Sequence, residues 1–380
     1  MIAALAGVLA CLLAGSLVYC VLSILAARSY LRAKPPQPGT DFEPVSVLKP
    51  LSGAEEGLEE NLRSFFEQDY AEFEILFAVR TVDDAAVPVV RRLQAEYPGV
   101  ASRLIVTGEP PYPNAKVYSL ERMTAEARHD LLVMSDSDIR VERSFLRRAA
   151  AEFQDPKTGV ASCPYRAVPG RSWWSRLEAL GMNTEFLSGV LTARLLEGMK
   201  FALGPTIVAR RRALQDIGGF PRLKDYLAED FVLGNLAAEA GWRVILSSCV
   251  IEHRIGSQDF RHNAAHRLRW FRSTRRSRPA GYVGQVFTYP LPLALLLVVC
   301  WPAVWTAAAL ALATAMRAAS AWSAAGWVLA DPLTARYWHL VPAQDALSFT
   351  FWLAGFFGDT IAWRGRKYYL RRDGTFERIA

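Results

Sequence analysis

The stretch Asp130-Leu131-Leu132-Val133-Met134-Ser135-Asp136-Ser137-Asp138 decides how this sequence is read. A short unbroken apolar run is what a strand needs when a parallel sheet is covered on both faces. This run leads straight into two carboxylates two residues apart. Alternate residues at a strand end can present hard oxygen ligands around one point. Mg²⁺ or Mn²⁺ held by one or two carboxylates, with phosphate oxygens completing the shell, is the expected arrangement. The same triplet also arises by chance, as a turn or a helix cap. Its place at the end of a strand favours the cation reading.

Outward from this stretch the pattern alternates. Upstream, Val45–Lys49, Phe73–Val79 and Arg103–Thr107 read as strands. Between them, 55–66, 85–97 and 116–127 read as helices, the first with Leu58, Leu62, Phe65 and Phe66 on one face. Such alternation predicts an α/β, Rossmann-like domain with a mostly parallel sheet, whose ligands sit at the carboxyl ends of the strands. Downstream, 144–153, 173–196 and 228–240 read as helices, and 159–165, 203–209 and 242–252 as strands.

Residues 2–26 carry no charge. As a helix they would span roughly 37 Å at ~1.5 Å per residue, enough to cross a bilayer. No basic segment precedes them and they exceed a signal-peptide core, so a retained membrane helix is expected. Arg28, Arg32 and Lys34 follow, which by the positive-inside rule puts the next domain in the cytoplasm. Two further apolar stretches, 286–312 and 343–363, can span, and 313–340 reads as an external or interfacial loop. The expected layout is a membrane helix at 1–32, a Pro-rich linker at 33–44 and a catalytic domain at 45–257. A basic interfacial helix at 258–283, a membrane region at 284–363 and a basic cytoplasmic tail at 364–380, including Arg364, Arg366 and Lys367, complete it. The protein is thus expected to be multi-pass in the cell's inner (plasma) membrane. Of the net +7 charge, seven arginines fall between Arg261 and Arg278. Beside a membrane span, such a run suits anionic headgroups better than nucleic acid. The five cysteines form no CxxC pair, so neither zinc nor a disulfide framework is indicated.

Three further groups carry chemistry. Glu229-Asp230 opens a helix, where acids complement the dipole, but a carboxylate there can also deprotonate a hydroxyl. His266-Arg267-Leu268-Arg269-Trp270 offers a guanidinium for phosphate and an indole for an apolar or sugar face. Asp83-Asp84 follows the second strand, where acids hold a ribose or base, or cap a helix. His253 ends a strand and reads more naturally as packed or capping than as a metal neighbour. There is no P-loop, no GxGxxG after a strand, no GxSxG and no HExxH.

Taken together, VSVLKPL (45–51), ENLRSFFEQDY (60–70), Asp83-Asp84, NAKVYSL (114–120), SDSDIRV (135–141), the GGF turn (218–220), AEDF (228–231) and the final Arg269-Trp270 resemble the ceramide glucosyltransferases of glycosyltransferase family 21. Bacterial glycosyltransferases of hopanoid biosynthesis are similar too. The resemblance covers about residues 44–290. It implies a GT-A fold and inverting transfer of a hexose, glucose or N-acetylglucosamine, from a UDP-sugar to the hydroxyl of a membrane lipid, ceramide-like or hopanoid-like. Asp83 or Asp84, Lys116, Asp136, Arg269 and Trp270 would contact the nucleotide sugar. Asp136 and Asp138 would hold Mg²⁺ or Mn²⁺, and Asp230 would be the base. Glu229, His253 and His266 are further candidates. His266 departs from the Gln or Arg that usually opens the last motif. A processive polysaccharide synthase and an inactive scaffold are the rival readings.

Overall fold

A computed structural model describes residues 2–33, 35–37, 43–363 and 366–379. Lys34, Arg364 and residues 38–42 of the expected linker lie outside the described residues. The chain divides into two compact units, each built from separated segments. One comprises Pro35–Tyr165, Met199–Gly256 and Gly374–Ala380, the other Met1–Lys34, Arg166–Gly198 and Ser257–Asp373.

The first unit holds the α/β sheet. Its strands are β1 (Val45–Pro50), β2 (Phe73–Val79), β3 (Ala101–Val106), β4 (Leu131–Ser135), β5 (Ile139–Arg140), β6 (Thr158–Ser162), β7 (Thr206–Arg210), β8 (Arg243–Leu246) and β9 (Ile251–Arg254). Seven of them form one sheet in the order β3-β2-β1-β4-β7-β6-β8. β1, β2, β3 and β4 run parallel, and β7 is antiparallel to both neighbours. Every residue of β1 and β4 is buried, as expected for strands covered on both sides. Leu48, Leu76, Leu132 and Met134 join Val117, Leu120 and Met123 from the Ala115–Glu126 helix in one core. Each such side chain contributes ~1.5–3 kcal/mol when buried.

Chain order leaves β1 outward through β2 to β3, then returns to β4 on β1's other side. That makes the β1/β4 carboxyl ends a topological switch point, where α/β sheets bind ligands. The stretch expected as one strand over 242–252 is two, β8 and β9. A turn at Ser247–Val250 separates them, with Cys249 N donating to Ser247 Oγ at 3.0 Å. The turn frees β9 to pair with β5, His253 opposite Ile139. Gly234 permits a close approach: a Cβ there would lie 2.3 Å from Ala202 N.

The second unit is helical. Its Ile2–Arg32 helix shows exposed Leu5, Val8, Val18 and Val21, while Leu9 and Leu13 meet Leu291, Leu293 and Leu297. Among the described residues, two helices are long and apolar enough to cross a membrane, Ile2–Arg32 and Val304–Val328. The pair Pro279–Thr288 and Pro290–Cys300, bent by 65°, makes a third if counted as one span. The C-terminal positions correct the sequence expectation. The 286–312 stretch is broken near Trp301, ahead of Pro302, whose missing N–H and ring end a helix. Residues 313–328, expected as loop, continue a helix. Arg317, which argued for a loop, is buried and pairs through both nitrogens with Asp345, at 2.8 Å each. The 343–363 stretch holds only a helix of 15 residues, Val341–Gly355, then a hairpin of Thr360–Trp363 and Arg366–Leu370.

The arginine run lies largely on the Phe260–Ser277 helix. Arg272 donates to the carbonyls of Phe357 (3.1 Å) and Thr360 (2.6 Å), and Arg275 to those of Phe356 and Gly358. Arg275 and Arg276 share Asp359, and Arg278 pairs with Glu197. Arg267 is buried against Gln344 and Asn263, both at 2.9 Å. At least five of the seven arginines are therefore held by the protein itself. Those at the end of Val341–Gly355 satisfy carbonyls that a helix C-terminus leaves unpaired.

Candidate active site

The site grows from the end of β4. Antiparallel pairing sets Ser135 beside Thr206, so the Gly204-Pro205 turn lies against the first acid. Asp136 N donates to Pro205 O at 3.0 Å. Lys116, on the first turn of the Ala115–Glu126 helix, reaches the same place. Its Nζ lies 2.7 Å from Asp136 Oδ1 and 3.4 Å from Glu229 Oε1, and donates to Gly204 O at 3.2 Å. Flanked by carboxylates, that ammonium is held well above the ordinary lysine range although burial opposes it.

Asn114 caps the same helix by accepting from Val117 N at 3.1 Å, and its amide donates to Tyr226 O at 2.8 Å and Glu229 Oε2 at 3.3 Å. Glu229 is thus set by its neighbours on both sides. Asp230 sits on the next position of that helix start, so close to Gly204 that a Cβ there would lie 2.9 Å from Asp230 Oδ2. Burial, and then the charge of Glu229, push the Asp230 carboxyl up to about 7, with Lys116 working against them. A carboxyl balanced there can accept a proton near neutral pH.

The second acid has a partner of its own. Asp138 Oδ2 meets His253 Nε2 at 3.0 Å, and Asp138 O accepts from Arg254 N at 2.7 Å. Burial tends to raise the Asp138 pKa, but His253, Lys49 and Lys116 outweigh it, and the group stays below the ordinary carboxylate value. His253 therefore orients an acid rather than simply filling the core. Asp138 Oδ1 is buried and accepts no hydrogen bond. Such an orphaned oxygen beside Asp136 fits a hard cation. Among the described residues, no three His, Cys, Asp or Glu side chains gather for a metal. Two carboxylates would leave the rest of the shell to ligand oxygens and water, the usual state of Mg²⁺ sites.

Asp83 is exposed after β2. Asp84 Oδ1 accepts from Ala86 N and Gly53 N, both at 2.9 Å, the second tying down the loop after β1. The last motif lies in the helical unit. There His266 Nδ1 meets Glu178 Oε1 at 2.6 Å, and its ring stands 4.8 Å from that of Trp270, which in turn lies 6.1 Å from Phe186. Arg269 is half-buried on the same helix.

A conserved-domain comparison decides the family: the model described as glycosyl transferase family 21 matches residues 8–376. The chain belongs to glycosyl transferase family 21. Among curated proteins, ceramide glucosyltransferase 1 of Caenorhabditis elegans is 28% identical over 214 residues, 56% of this chain and 46% of its own. A ceramide glucosyltransferase of Komagataella phaffii is 32% identical over 119 residues, 30% of this chain and 23% of its own. The chain spans less than half the length of these relatives. A solved mannosyltransferase from Pyrobaculum calidifontis, in complex with GDP-Man and Mn²⁺, superposes with a TM-score of 0.56 at 21% identity, covering 92% of this chain and 99% of that one. That likeness concerns the fold, which is of the GT-A type.

Within this family 21 chain, Lys116, Asp136, Glu229 and Asp230 come together at the switch point, with Asp138 and His253 as a second pair. Sequence reasoning missed Lys49, Asn114 as the residue that sets Glu229, and Glu178 as the partner of His266. Asn114 had a usable signal, a cap residue directly before a helix. Glu178 had none, since its partner lies 88 positions away.

Proposed function

We propose that this family 21 protein transfers a hexose, glucose or N-acetylglucosamine, from a UDP-sugar to the hydroxyl of a ceramide-like or hopanoid-like membrane lipid, with inversion. The observation that carries the reading is the Asp230 carboxyl, held up to about 7 beside the Lys116–Asp136 pair at the switch point. The names of the curated relatives support a sphingolipid-type acceptor. The mannosyltransferase with GDP-Man and Mn²⁺ supports a nucleotide-sugar donor and a divalent ion on this fold.

In the proposed reaction the lipid hydroxyl oxygen bonds to the anomeric carbon as the bond to the diphosphate oxygen breaks. Asp230 takes the hydroxyl proton, and UDP leaves with the bonding electrons. Asp136 and Asp138 would hold Mg²⁺ or Mn²⁺, which when bound neutralises charge on the leaving diphosphate. Lys116 swings its ammonium from Asp136 towards that diphosphate. Asp83 or Asp84 contacts the nucleotide, and Arg269 with Trp270 closes over donor and acceptor. The Ile2–Arg32 and Val304–Val328 helices cross the inner membrane, with the sheet unit in the cytoplasm, on the side of Arg28 and Arg32.

The test is incubation of the purified full chain with UDP-glucose or UDP-N-acetylglucosamine and vesicles carrying ceramide or a hopanoid alcohol, read by mass. One hexose added per lipid, lost on chelation and restored by Mn²⁺, is the expected result. A polymeric product, or no UDP binding with Mn²⁺ present, overturns it.

A further inference from the structure

Lys49 ends β1 and is completely buried. A lysine there is unusual, because an ammonium removed from water needs compensation and lysine is almost never fully buried unpaired. The ring of Phe65 covers it, 4.1 Å from Nζ. Its Nζ donates to Ser135 Oγ at 3.3 Å and, at closer range, to the main-chain carbonyl of Asp136. Ser135 Oγ also accepts from Thr206 Oγ1 at 3.0 Å. The charges facing Lys49 are Asp136, Asp138 and Glu55 of one sign and Lys116 of the other.

The turn that bears the two acids is pinned at four main-chain groups, Asp136 N, Asp136 O, Ser137 O and Asp138 O. Asp136 N meets Pro205 O, Ser137 O accepts from Asn61 Nδ2 at 3.3 Å, and Asp138 O accepts from Arg254 N. The Asp136 carbonyl lies between the two carboxylates along the chain; the Lys49 ammonium holds it closely, and Ile139 N donates to it more loosely, at 3.4 Å. Rotating that peptide would re-aim both side chains, and a site of this kind works only within ~0.5 Å of its productive geometry.

We propose that Lys49 is a positioning residue that fixes the Asp136-Ser137-Asp138 turn so that both carboxylates meet one cation. This rests on the metal-assisted reading given above. A packing role could be met by any long apolar side chain. A purely electrostatic role would have the opposite sign, since a positive charge beside a cation site weakens cation binding. The three roles separate in one measurement.

The experiment is Mn²⁺ binding to the full-length protein at saturating UDP, read by the paramagnetic resonance of free Mn²⁺, with thermal unfolding alongside. Lys49→Met should bind Mn²⁺ more weakly by about 10–100-fold, the range for residues that orient metal ligands. Lys49→Gln, which keeps a donor but no charge, should recover part of that loss. Wild-type affinity in both variants overturns the proposal in favour of packing, and tighter binding in both overturns it in favour of charge alone. If Lys49→Met fails to fold, Lys49→Gln and Ser135→Ala carry the comparison, each expected to weaken Mn²⁺ several-fold. If the wild-type protein itself binds no Mn²⁺ with UDP, the metal reading fails, and that result shows in the wild-type arm alone.

Discussion

In the proposed reaction, the chemistry at Asp230 rests on a single proton. An ordinary aspartate would be ionised throughout the neutral range, whereas this carboxyl is pushed up to about 7 by burial and by Glu229. Its basic form therefore gains population as pH rises through 7. The rate of transfer at limiting substrate should fall as pH drops below that value, with a single acid limb. Glu229→Gln removes the neighbouring charge, so the limb should move to lower pH. An unmoved limb in that variant would mean another group sets it. Asp230→Asn should lower turnover at least 10²-fold, the usual contribution of a positioned base. UDP binding by that variant should stay close to wild type. Both acids were legible in the sequence, because AEDF opens a helix after a turn. The burial that raises Asp230 was not legible: that carboxyl packs against Gly204, 26 positions away, with Lys116, 114 positions away, working against the rise. The same limit applied to Asp83 and Asp84. Spacing left them equal, and only the fold shows that Asp84 ties down Gly53 while Asp83 is exposed.

At the scale of elements, strands were the easy part. β1, β2 and β4 are unbroken apolar runs, and their positions were readable to within a residue or two. β7 was also readable as a strand, over 203–209, but its antiparallel direction was not, since direction depends on which edge the chain returns to. Helices with charges inside apolar stretches misled for a definite reason. Arg317 looks like the end of a span in one dimension and is half of a buried pair in three. Its guanidinium is bidentate to Asp345 and also reaches Thr184 Oγ1 at 3.2 Å. Breaking one side of such a pair leaves a buried charge without its partner. Arg317→Met or Asp345→Leu alone should each cost about 3–5 kcal/mol of stability, while the double substitution should cost much less. Thermal unfolding of the purified protein reads this directly. A double variant as unstable as the singles would show that packing, not stranded charge, dominates. Gly234 belongs to the same scale, because its helix lies against the backbone of Phe201 and Ala202. Gly234→Ala should lower the unfolding temperature, and should do so more than Gly241→Ala just past the helix end, where a φ of 87° strains alanine but nothing lies within 4 Å of the added Cβ.

At the scale of the molecule, the resemblance carried the family while composition carried only the membrane character. The count of basic residues suggested a charged face at 261–278. In the folded chain most of those guanidinium groups close helix ends and pair with acids, so total charge was a poor guide to free charge. Binding of the protein to anionic vesicles should accordingly change little when Arg272 or Arg275 is replaced by Gln, whereas the unfolding temperature should drop. Co-sedimentation with such vesicles measures the first. A large loss of vesicle binding without a loss of stability would restore the headgroup role to these two arginines.

The sheet unit is not one run of chain. Residues 166–198 leave it, and residues 374–379 come back to it: Phe376 N donates to Asp225 O at 2.8 Å, and Thr375 bridges to Tyr226. Asp225 and Tyr226 stand immediately before the helix that begins with Glu229 and Asp230. On the ribosome, β1 to β4 are all available early, but the clasp on residues 225–226 has to wait until the intervening apolar helices have been made. Contacts this distant in sequence are slow to form, and the half-built unit must persist without them. Synthesis therefore delivers β1 to β4 first and the final hold on the segment that leads to Glu229 and Asp230 last, after the long apolar helices.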